Sequence, residues 1–303
     1  MDQVLTQIQN AGRIAVLHRE EEVASHAVDS DVDLCVTVEP LSIISAVAPR
    51  LRSEGILPIL IFHYDRGSYS FFFSNAEGTG GAQVDLLHDP RGLARYGVRT
   101  DVLLAKSCAG ARWPRVDRLD EALYVLRKRQ VKGDLPSVAL ARDEVMAFGF
   151  ANAIRRIPQV FGGRAASGVT AALTRTDVRE RRTTGLWRSR FMRPSRVLRR
   201  CGFWVHVTGD SAQTEARQLS RRMNRLISAS TVTDPSLGFL MNNLWRPRLV
   251  VSAGGSRVWP RPDVLLGPDD SMPEPGGVTA LLVASMHERV LSTFRLESRD
   301  TGS

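Results

Sequence analysis

Asp31 and Asp33 stand one residue apart in the stretch HAVDSDVDLCV, residues 26–36. Val32, Leu34 and Val36 alternate with them, which is the pattern of a strand. Residues two apart on a strand share a face, so the two carboxylates project together. A third carboxylate, Asp85, lies in GGAQVDLLHD, with Val84 and Leu86 facing away from it. Three carboxylates gathered from neighbouring strands repel one another unless a cation neutralises them. Oxygen donors of this kind suit Mg²⁺, which retains waters and also binds phosphates. Two such ions can stabilise both oxygens of an in-line phosphoryl displacement. One carboxylate can take the proton of an attacking hydroxyl. A lone D-x-D pair is also what an exposed strand edge would show by chance. The third aspartate strengthens the metal reading.

The elements that must position these residues follow from periodicity. A helix is expected over about Gln3–Asn10, then a strand at RIAVLH, the DVDLCV strand and a helix at LSIISAVAPRLRSEG that ends on Gly55. Next come ILPILIFHY, a turn at DRGS, YSFFFS, a glycine-rich turn at AEGTGG, and AQVDLLH. This predicts a mixed sheet with a helix packed on it. A helical stretch is expected from Leu119 to about Ala172. Beyond the arginine-rich connector, GFWVHVTG, RLVVSA and DVLLG read as strands. AQTEARQLSRRMNRLI and VTALLVASMHERVLSTF read as helices. The fold class expected is α/β, with an α+β mixed sheet first and a parallel α/β unit second. The corresponding divisions are 1–145, a connector over 146–200, and 201–303.

Composition bounds the partners. The 303 residues are 43% hydrophobic and 24% charged, as in globular chains. No apolar run is long enough for a membrane span. The N-terminus lacks a basic region followed by an apolar core, so no secretory signal is expected. Cys35, Cys108 and Cys201 form no CxxC pair, which suggests reduced thiols and a cytoplasmic location. The net charge is +9, and residues 175–200 carry ten arginines against Asp177 and Glu180. That segment is either a solvated connector or a basic face for nucleic acid. Trp187 and Phe191 are its only aromatics, too few for a base-stacking platform. HExxH and G-x-S-x-G are absent. GTGGAQ has no helix behind it and reads as a hairpin turn.

Strand, loop, SDVDLCV, helix, hairpin and QVDLLHD together resemble the polymerase-β-like nucleotidyltransferase superfamily, over about residues 12–90 and more loosely over 91–145. The resemblance implies that Asp31 and Asp33 hold two Mg²⁺ ions and that Asp85 holds the catalytic one and helps deprotonate the acceptor. The superfamily places a Gly-Ser pair where this chain reads LHREE, with His18 and Arg19. A similar Leu-Arg occurs in a branch found in bacterial polysaccharide and sugar-modification gene sets. By the same resemblance His18, Arg19, Ser30, Lys128 and Lys132 would bind nucleotide, a guanidinium replacing the hydroxyl at the phosphates. Without the resemblance, Lys128, Arg129 and Lys132 near the end of their helix are solvated charges that complement its dipole.

LRRCGFWVHVTGDSAQTEARQLSRRM resembles a thymidylate-kinase-like P-loop domain. Aligned on Gly209, the second glycine, lysine and hydroxyl of G-x-x-x-x-G-K-[ST] are replaced by Thr214, Glu215 and Ala216. The expectation is a degenerate P-loop unit without kinase chemistry. The pairing of the two units occurs in the same polysaccharide-associated branch. Three functions are expected in order. The first is Mg²⁺-dependent transfer of a nucleoside monophosphate from a nucleoside triphosphate to a small-molecule or sugar hydroxyl. The second is a nucleotide-binding pseudoenzyme, and the third a basic nucleic-acid-associated protein.

Overall fold

The computed structural model describes residues 1–24, 31–174, 202–224, 226–227, 229–233, 236, 240, 249–254, 262–266 and 275–294. The arginine-rich segment 175–200 and Ser30 lie outside the described residues. The chain is mixed α/β with one mixed and one all-parallel sheet. Its first part runs α1 (Asp2–Ala11), β1 (Ile14–Val16), α2 (Glu20–Ala24), β2 (Val32–Val36), α3 (Pro40–Ser53), β3 (Ile56–Asp65), β4 (Ser68–Asn75) and β5 (Gly81–Leu87). A helical layer follows: α4 (Thr100–Ala105), α5 (Arg118–Lys132), α6 (Leu135–Ala147), α7 (Phe150–Val160) and α8 (Gly163–Thr174). The last part is β6 (Phe203–Val207), α9 (Ala212–Met223), β7 (Ala229–Thr233), β8 (Leu249–Ala253), β9 (Val264–Leu266) and α10 (Pro275–Phe294).

The first sheet has the order β1-β2-β5-β4-β3. The central strands β2 and β5 are parallel, with Asp33 opposite Asp85. Alternation decides which face each side chain meets. Val32, Leu34 and Val36 enter one core with α1 and α3. Cys35 enters another core, formed under α4 to α8. β2 is therefore buried on both faces, with Asp33 only 4% exposed. The helical layer covers the face that carries Asp33.

The helical layer is fastened by charge as well as apolar packing. Arg156 of α7 donates Nε and a second guanidinium nitrogen to the two carboxylate oxygens of Asp120 on α5, both at 2.6 Å. Asp120 is fully buried. A forked pair of this kind fixes orientation as well as distance. It holds α5 in place against the sheet.

The second sheet has the order β7-β8-β6-β9. β7 has no counterpart in the sequence reading. Its ASTVT carries little apolar signal because it is a half-exposed edge strand. The two sheets share a core: Ile59, Leu60 and Phe72 of the first pack with β6, β8, α9 and α10. α10 runs along the edge strand β3, and His287 lies 3.1 Å from the Pro58 carbonyl through Nδ1. Covering an edge strand removes a template for unwanted pairing. The glycine-rich turn between β4 and β5 is required by this contact. Gly78 has φ 69°, and a Cβ there would come within 2.4 Å of Thr279 Cγ2. Among the described residues no helix is long and apolar enough to cross a membrane.

Candidate active site

The cluster is built by register. Asp33 and Asp85 are direct partners on the parallel strands, and Asp31 immediately precedes β2. One ligand oxygen from each of the three lies within 4.8 Å of the others. Ser70 is the partner of Asp85 on the β4 side. Gln83 Nε2 donates to Asp85 Oδ1 at 3.1 Å.

The three carboxylates do not share one environment. Lys128 of α5 donates its ammonium to Asp33 Oδ2. His18 Nε2 lies 2.5 Å from that same oxygen. The ammonium and His18 Nε2 are 3.2 Å apart. Burial alone would raise the Asp33 pKa, but the His18 hydrogen bond and the Lys128 charge outweigh it and bring it to about 2. Among the described residues no such cation pairs with Asp85. Burial, then the negative charge of Asp33, push its pKa up to about 7 against the hydrogen bonds from Ser70 and Gln83. One carboxylate is thus held ionised while its neighbour resists ionisation.

Aromatic residues support the pair. His18 stacks on Tyr124 with ring centres 6.0 Å apart, and the Lys128 ammonium lies 5.9 Å from the same ring. Tyr96 meets Tyr124 edge-on at 6.1 Å. Burial and then the Asp33 charge raise the pKa of both tyrosines, that of Tyr96 to about 12. Tyr64 is raised likewise by burial and then Asp85. All three stay neutral in the working range of most proteins.

The loop from β1 into α2 carries His18 and Arg19. Arg19 has φ 59° and is the one described non-glycine residue with positive φ. Its backbone N–H donates to Glu121 Oε1 at 2.9 Å. The turn is held from below by Glu20, whose carboxylate accepts the backbone N–H groups of Ala111, Arg112 and Trp113, each at 2.9 Å. Glu21 pairs with Arg118 at 2.5 Å. Glu20 and Glu21 are thus both engaged, with the turn 111–113 and with Arg118 respectively.

Lys132, one turn beyond Lys128, is exposed. Desolvation of its ammonium and then the Lys128 charge lower its pKa, while Asp31 and Asp33 act in the opposite direction. Lys128 itself is 8% exposed, so it is no solvated helix-end charge. The role of Glu20 was not visible in the sequence. It sits in an EEE run that reads as surface charge.

The donor set fits a hard divalent cation: three carboxylates, no sulfur, and one member whose ionisation is suppressed by burial and by the Asp33 charge. At the second sheet the expected phosphate loop takes a different form. Between β6 and α9 only residues 208–211 intervene. Gly209 has φ 113°, and Ser211 Oγ donates to Glu215, which stands in the first turn of α9. A carboxylate therefore occupies the helix start, where a phosphate would otherwise be drawn.

No family model matches the chain, and no curated protein or solved structure matches it either.

Proposed function

We propose that the chain is a Mg²⁺-dependent nucleotidyltransferase acting on a nucleoside triphosphate and a hydroxyl of a small molecule or sugar. The observation that carries this reading is the convergence of Asp31, Asp33 and Asp85, with Asp33 held anionic and Asp85 held near neutrality. The strand–loop–D-x-D–helix–hairpin–Asp order of the polymerase-β-like superfamily supports it, as does the parallel pairing that sets Asp33 beside Asp85.

Asp31, Asp33 and Asp85 would hold the metal, which supplies charge neutralisation at the phosphates. Asp85 is the base: its carboxylate takes the proton of the acceptor hydroxyl. The acceptor oxygen then bonds to the α-phosphorus, the bond from that phosphorus to the bridging oxygen breaks, and pyrophosphate leaves. His18 and Lys128 orient Asp33. Arg19, next to His18, and Lys132, one turn beyond Lys128, are both exposed and suit phosphate binding.

The second unit is a degenerate P-loop-like layer in this reading, with Glu215 at the phosphate position. Its role is structural, through the core shared with β3 and β4. Nucleoside triphosphate substrates and the free thiols of Cys35 and Cys108 favour a cytoplasmic setting.

Mg²⁺-dependent pyrophosphate release, screened over the common triphosphates with cell extract as acceptor source, tests the proposal. Release that disappears with Asp31→Asn supports it. The contact of Lys128 with Asp33 favours a second reading, a nucleotide-binding pseudoenzyme. Nucleotide-raised melting with no pyrophosphate under any acceptor would establish that alternative. The nucleic-acid reading rests on residues 175–200, outside the described residues.

A further inference from the structure

We infer that the Lys128 ammonium serves as one of the two cations of the aspartate cluster, so that the site takes a single divalent ion. This rests on the metal reading above and departs from the two-ion expectation. The argument starts from Asp33 Oδ2. A carboxylate oxygen offers about two lone-pair directions. On Oδ2 both are used, one toward His18 Nε2 at 2.5 Å and one toward Lys128. Only Oδ1 remains to Asp33 for a metal. A carboxylate that joins two ions spends one oxygen on each, and this one has no second oxygen to give.

The ammonium is built in. Lys128 is 8% exposed, lies 5.9 Å from the Tyr124 ring, and projects from α5. That helix is fixed by the Asp120–Arg156 fork and capped by the Asp117 side chain on the Leu119 N–H. Charge agrees with the geometry. Three carboxylates and one ammonium sum to −2, which one divalent ion neutralises.

The test counts ions rather than turnover. Mn²⁺ bound per chain is measured by equilibrium dialysis with wild type, Lys128→Met and Lys128→Arg, first with Mn²⁺ alone and then with inorganic tripolyphosphate. Tripolyphosphate removes any dependence on the nucleobase. The expected counts with tripolyphosphate are one for wild type, two for Lys128→Met and one for Lys128→Arg. Two ions on wild type overturn the inference, as does a single ion on a folded Lys128→Met. If Lys128→Met does not fold, the wild-type and Lys128→Arg counts decide. No Mn²⁺ on wild type would remove the metal reading itself, a failure distinct from a count of two.

Discussion

Asp85→Asn tests the electrostatics of the cluster without touching its shape. Asparagine is neutral at every pH and keeps an oxygen for the Gln83 amide, which donates to Asp85 Oδ1 at 3.1 Å. In the folded chain the Asp85 pKa is raised from 3.8 to about 7, by burial first and Asp33 second. Each unit is worth about 1.4 kcal/mol, so holding the charge at pH 8 costs about 4 kcal/mol. The direction follows from proton uptake. Between pH 4 and 7 the folded protein keeps a proton that the unfolded chain releases. Stability from this group is therefore full below pH 4, falls as pH rises to 7, and stays low above it. The variant escapes that loss. Its advantage over wild type is about 4 kcal/mol at pH 8 and about 2 kcal/mol at pH 5. In metal-free buffer with chelator, at about 2–3 °C per kcal/mol, Tm should rise by about 10 °C at pH 8 and about 4 °C at pH 5. Added Mg²⁺ should then raise the wild-type Tm and leave the variant nearly unmoved. Equal gains at both pH values, or a lower Tm at pH 8, would refute the reasoning.

Asp33→Asn should behave oppositely and destabilise by about 3 kcal/mol in urea unfolding, since it strands the buried Lys128 without its carboxylate; a gain in stability would count against the ion pair. Because the Asp33 pKa is lowered to about 2, its contribution is present above pH 4 and lost as pH falls toward 2, which an acid titration of wild type against Asp33→Asn would reveal. Glu20→Gln should cost about 2–4 kcal/mol in the urea midpoint, because one amide oxygen cannot serve three backbone N–H groups; a change below about 0.5 kcal/mol would dismiss the clamp. Arg19→Gly should raise stability by about 1 kcal/mol by relieving the positive φ, yet weaken triphosphate affinity by about 1.5–3 kcal/mol; unchanged affinity with Mg²⁺ present would take Arg19 out of the site and favour the pseudoenzyme.

The aspartates were legible because the signal is local. Alternation along residues 31–36 and 82–88 is enough to place Asp33 and Asp85 on strands, whereas the burial of their face under the helical layer was not legible. The pairing partner of Lys128 was not legible. Its approach to Asp33 spans 95 positions and depends on how α5 lies across the sheet, which the Asp120–Arg156 fork decides from a third helix. Read along the chain, Lys128 looks like any basic residue near a helix C-terminus. Glu20 was hidden for a related reason: its three partners are backbone groups of a distant turn, and backbone donors leave no mark in residue identity. β7 was missed because an edge strand needs no apolar run, only a neighbour to pair with.

The division of the chain also changes meaning once the core is seen. Pattern alone separates a mixed sheet from a parallel one. Packing joins them: Ile59, Leu60 and Phe72 of the first sheet lie in the core of the second, and α10 closes the exposed edge of β3. Among the described residues β3 pairs only with β4, and β4 holds Ser70 against Asp85. Loosening α10 therefore reaches the aspartates through two strands. On the proposed reading, a unit that carries Thr214, Glu215 and Ala216 where a P-loop would hold phosphate still serves this purpose, because burying the outer strands of the first sheet requires only its apolar faces.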